Sequence, residues 1–153
     1  MTHTKFLWMV LTVAAVMFPV ALYAHCEVPC GIYGDEARVA TMAEHIQTIE
    51  KAMAQISKLE TETPVNNNQI VRWVMTKEAH AEKIQHIVSQ YFMTQRISLD
   101  AKGYGKKLGA LHQILVYAMK CKQTTDPANV AACRGLLDEF RKLYFKDKEH
   151  THE

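Results

Sequence analysis

The chain reads as all-α: an antiparallel, up-down four-helix bundle preceded by a short N-terminal hook. Three observations predict it. Apolar residues recur in alternating steps of three and four along long stretches, the pattern of a helix with one buried seam. Glycine and proline are scarce, six and four in 153 residues, and fall mostly between those stretches. No segment shows the period-two alternation of a half-buried strand.

The first element is a leader. Residues 1–24 join a Lys5-bearing start, an apolar run from Phe6 to Leu22 and a small final residue, Ala24. That is the layout of a secretory signal peptide, so residues 25–153 are expected as the mature, exported chain, periplasmic or secreted. The alternative is a retained membrane anchor, for which the apolar run is at the short limit. Removal leaves 129 residues, one domain's worth, with 17 basic and 16 acidic side chains. So even a balance offers no electrostatic case for nucleic acid, nor for a membrane surface after processing.

The second element, residues 25–33, is His25-Cys26-Glu27-Val28-Pro29-Cys30-Gly31-Ile32-Tyr33. With cleavage after Ala24, the His25 α-amine becomes free. Amine, imidazole, the Cys26 amide and the Cys26 and Cys30 thiols then crowd into six residues. Amine and amide nitrogens close one five-membered chelate ring; the Cys26 amide and its own sulfur close another. Pro29 and Gly31 help the chain turn so that Cys30 can complete the set. An N2S2 square suits Ni(II) or Cu(II), whereas zinc prefers a tetrahedron. A small Cys26–Cys30 disulfide loop is the plain alternative in an oxidising compartment.

The bundle is expected over residues 35–146. Asp35 can cap the first helix, Asp35 to Leu59, whose seam is Val39, Met42, Ile46, Ile49, Met53 and Ile56. Pro64 and Asn66-Asn67-Asn68 break it. A second helix, about Gln69 to Ile97, carries Ile70, Val74, Lys77, Ala81, Ile84, Val88 and Tyr91. Lys77 is the misfit, expected to snorkel at a bundle end. A third, about Lys106 to Lys122, buries Leu108, Leu111, Leu115, Ala118 and Met119. Thr125-Asp126-Pro127 starts a fourth, with proline at the first helical position and Val130, Cys133, Leu137, Phe140 and Tyr144 inward. Cys121 and Cys133 face each other across that last turn and read as a structural disulfide. His45, His80, His86 and His112 read as ordinary helix-surface or hydrogen-bonding histidines.

The pattern His-Cys-x-x-Pro-Cys-Gly-x-Tyr ahead of a four-helix bundle resembles the nickel superoxide dismutase family. Gln90-Tyr91-Phe92, Leu111-His112-Gln113 and Asp126-Pro127-Ala128 extend the similarity. The resemblance implies one nickel ion per chain, a homohexamer, and disproportionation of superoxide, the substrate, to oxygen and hydrogen peroxide. It implies that His25 gives the amine and an axial imidazole, Cys26 its amide and thiolate, and Cys30 a thiolate. It makes Tyr33 the catalytic gate over the open metal face, with Tyr91 as its hydroxyl partner. The family's carboxylate and arginine that hold the axial imidazole have no clear counterpart: the ungapped position is Thr41, and Glu36, Glu44 and Arg72 are the nearby candidates. Two other readings remain: a periplasmic nickel or copper carrier without turnover, and a disulfide-stapled interaction module.

Overall fold

The computed structural model describes residues 34–149, with side chains through Lys146, together with His3 and Trp8. The chain divides into two units, Met1–Cys30 and Gly31–Glu153, and the bundle helices belong to the second. The leader cleavage point and hook residues 25–33 lie outside the described residues, as do residues 150–153.

Four helices follow in order: α1 Asp35–Leu59, α2 Asn67–His86, α3 Tyr104–Gln123 and α4 Pro127–Glu149. Sequence neighbours pack on one another, and α1 closes the ring against α4. A π-helical segment, Ile87–Arg96, continues α2, and connections of seven, seven and three residues then allow that antiparallel path. The described residues contain no strand. Among them, too, no helix is long and apolar enough to cross a membrane.

The α1 seam is buried as expected, with Val39, Met42, Ile46, Ile49, Met53 and Ile56 all inside. Across the bundle, Phe92 and Phe140 meet edge to face at 4.9 Å and lie wholly buried, with Tyr144 against both. Aromatic pairs at such spacing add to the area they bury. Three expected core positions are not in the core: Val74 and Met119 are exposed, and Ile70 is only half-buried.

The start and stop chemistry departs from expectation at two places. Gly34, in extended conformation, precedes α1 and supplies no side-chain cap, while Asp35 already stands in the first turn. Its carboxylate is used elsewhere, as described below. The second is the asparagine run, which does more than break a helix: Asn66 Oδ1 accepts from the Gln69 N–H at 3.2 Å and caps α2. At α4 the expected signal holds, with the Ala128 N–H donating to Asp126 Oδ1 at 2.9 Å and Pro127 opening the helix.

Lys77 corrects a further expectation. It does not snorkel; it is 3% exposed. Its Nζ donates to the carbonyls of Cys121 (2.7 Å), Lys122 (2.5 Å) and Thr124 (3.3 Å). Those are the orphan acceptors at the end of α3, where a cation also meets the negative end of the helix dipole. A buried ammonium is tolerable because three carbonyls replace its water.

Candidate functional site

The helix expected to run unbroken to Ile97 changes winding at Ile87, and Ile87–Arg96 is π-helical. Side-chain bonding records the switch. Ser89 Oγ still reaches back four residues, to the Gln85 carbonyl at 2.8 Å, as Thr41, Thr48 and Thr76 do in α-helical turns. Thr94 Oγ1 instead reaches back five, to Ser89 O at 2.7 Å, as does Gln95 Nε2 to Gln90 O at 2.8 Å. The closing backbone bond, Ile97 N–H to Phe92 O at 3.1 Å, also spans five.

That widening decides where two side chains go. In an α-helix, residues five apart point about 140° away from each other. Here Tyr91 and Arg96, five apart, share a face, with the Arg96 guanidinium 4.7 Å from the Tyr91 ring centroid. Arg96 Nη2 donates to the Tyr91 hydroxyl at 3.1 Å. Single π turns recur at functional sites for this reason: they re-aim side chains without ending the helix.

Both groups converge on Asp35. Tyr91 donates to Oδ1 and Tyr144 to Oδ2, each at 2.8 Å. Arg96 Nε lies 3.0 Å from Oδ1, an ion pair rather than an aligned hydrogen bond. Burial, with the Asp35 charge added, raises the pKa of both tyrosines, so both hydroxyls stay protonated. Arg38 stacks 5.3 Å from the Tyr91 ring and Lys107 6.0 Å from the Tyr144 ring. Arg96 thus pairs with the carboxylate at the head of α1, and Arg38 and Lys107 lie against the rings of the two tyrosines bonded to it; in sequence, Gly34 separates Asp35 from Tyr33.

Of the site residues expected from sequence, His25, Cys26, Pro29, Cys30 and Tyr33 lie outside the described residues. Tyr91 is placed, and its hydroxyl is held between Asp35 and Arg96. Neither Asp35 nor Arg96 stood out as a site residue in the sequence, and Tyr144 read only as core. An aspartate beside a hook is a faint signal; a tyrosine and arginine five apart give none, because only the π register unites them. The candidates Glu44 and Arg72 are exposed, and Thr41 bonds its own helix.

The expected Cys121–Cys133 disulfide is not formed: both are free, buried thiols. They pack in the core as small apolar side chains. Burial pushes Cys121 up to about 11 and Cys133 to about 12, the latter also through the neighbouring Cys121.

Residues 20–148 match the family of nickel-containing superoxide dismutases. The chain belongs to the nickel superoxide dismutase family. Similar curated proteins are the nickel superoxide dismutases of Streptomyces seoulensis and Streptomyces coelicolor, each 26% identical over 138 residues. In both cases the match covers 85% of this chain and 92% of the relative. No solved structure matches. As a nickel superoxide dismutase the chain is an oxidoreductase with a nickel cofactor and superoxide as substrate, which removes the carrier and interaction-module readings.

Proposed function

We propose that superoxide is dismuted to oxygen and hydrogen peroxide at residues 25–33, with His25, Cys26 and Cys30 as the residues that hold nickel. The donor chemistry fits that ion: an amine, a deprotonated amide and two thiolates form the anionic N2S2 set that nickel favours. Bound there, nickel supplies one-electron cycling between Ni(II) and Ni(III), which those anionic donors bring within reach of superoxide. The observation that carries the assignment is the motif itself, six matching positions of nine, in a chain of this family.

The remaining work falls to the protein. By the family resemblance, Tyr33 would screen the metal that the hook holds. The Asp35 cluster fixes the start of α1. Arg38 and Arg96 lie against the Tyr91 ring and Lys107 near the Tyr144 ring, a basic grouping at the start of the bundle. The Tyr91 hydroxyl donates its proton to Asp35, and its raised pKa keeps it protonated.

The mature chain is exported after cleavage behind Ala24 and assembles as a homohexamer, readings supported by the leader composition and the family resemblance. The deciding experiment compares nickel-reconstituted protein beginning at His25 with the same protein retaining Ala24. Fast superoxide decay with nickel bound is expected only in the first. Equal rates in both would remove the α-amine from the ligand set. Sedimentation velocity on the active form tests the hexamer.

A further inference from the structure

The geometry points to a second divalent-cation site, formed by His45 on α1 and His80 on α2 and separate from the N-terminal hook. The two imidazoles face each other across the helix pair with their Nδ1 atoms 3.1 Å apart and their rings nearly perpendicular. A cation about 2.0–2.1 Å from both nitrogens would subtend roughly 100° between them, between the square-planar and tetrahedral values. Imidazole nitrogen suits zinc, copper and nickel, so the class of ligand is a borderline divalent metal. Ten residues of α1 separate His45 from Asp35, about 15 Å along the helix axis.

Several features favour occupancy. Both rings have lowered pKa values, chiefly through burial, so both are neutral at pH 7 with nitrogen lone pairs to offer. His45 also lines an open groove of about 420 Å³ with Arg38, Thr41, Glu82, Lys83 and His86, so water reaches that ring, while Arg38 and Lys83 there oppose a cation. Glu44 adds negative charge next to His45, while Lys83 opposes a cation at both rings. No group of three or more His, Cys, Asp or Glu that could hold a metal gathers among the described residues, so two imidazoles plus water make a weak, exchangeable site.

The exchange balances. Without metal, one ring donates its Nδ1 proton to the Nδ1 lone pair of the other. On binding, that ring carries its proton on Nε2 instead, and both Nδ1 atoms face the cation. Each imidazole keeps one proton, and none is released.

The test is zinc titration of the nickel-free full chain, 15N-labelled at histidine, observed through the imidazole nitrogens. Zinc is diamagnetic, and the reading does not depend on enzyme turnover. The expected result is that the Nδ1 signals of His45 and His80 move together and saturate with one shared binding curve, after any zinc that the hook thiols take up, while exposed His112 stays put. Nickel(II) should then broaden the same two rings. His45→Gln should abolish the His80 response, with helical content by circular dichroism confirming the fold. No shift, a shift in one ring only, or equal shifts in all histidines would overturn the site, and the wild-type spectrum alone decides between these.

Discussion

Asp35 is a single carboxylate with four demands on it. It follows the hook, opens α1, accepts from two tyrosine hydroxyls and balances Arg96. Asp35→Asn removes the charge that Arg96 faces and weakens both tyrosine bonds together. It should lower unfolding free energy by about 1–3 kcal/mol in urea titration, more than Tyr91→Phe or Tyr144→Phe alone; a smaller loss than either would mean the carboxylate is not the hub. Lys77 is the corresponding case at the far end of α3. Lys77→Met keeps the stem and leaves three carbonyls without their donor, costing about 2–3 kcal/mol. An unchanged urea midpoint would show that water replaces the ammonium freely.

At the scale of elements, the α1–α2 contact carries a pH dependence. His45 and His80 take up protons less readily folded than unfolded, chiefly from burial, with Lys83 adding to it and Glu44 offsetting it at His45. The unfolded chain therefore binds protons first as pH falls. Stability is full above the ordinary histidine value of 6.5 and is lost as pH drops below it toward the folded values. Urea midpoints at pH 7.5 and pH 5.5 should differ, and the double variant His45→Gln/His80→Gln should narrow the gap. The α3–α4 contact carries a chemical signature. Thiols buried at Cys121 and Cys133 with raised pKa values are poor nucleophiles. Ellman's reagent should titrate them slowly in folded protein and at once in denaturant; fast native reaction would mean that the α3–α4 packing opens readily.

At the scale of the molecule, the bundle core runs from Val39 to Tyr144 and draws on all four helices and the π segment. Among the described residues, every side chain in it lies in those helices, in the π segment or at Ile97 just beyond it. Cys26→Ser is therefore expected to abolish nickel binding and superoxide decay while leaving the helical circular dichroism spectrum intact. Collapse of that spectrum would make the hook part of the folding core.

Much of this was legible beforehand for a common reason: local patterns report local constraints. The α1 seam, the Asp126-Pro127 start and the six fixed positions of the hook each depend on residues a few places apart, and each can be read without knowing the fold. Lys77 shows where that stops. It broke its heptad, which was visible, but its partners are carbonyls 44 to 47 residues away. The π turn is less visible still, since Ile87–Arg96 contains neither glycine nor proline.

The sequence by itself determined the helical class, the family and the donor set at residues 25–33, because chelate rings and heptads are properties of contiguous chain. Tertiary structure alone decided that Asp35, Tyr91, Arg96 and Tyr144 meet, that His45 faces His80, and that Cys121 and Cys133 stay free thiols. Those outcomes depend on helix register and winding, and a shift of one residue per turn sends a side chain to a different face.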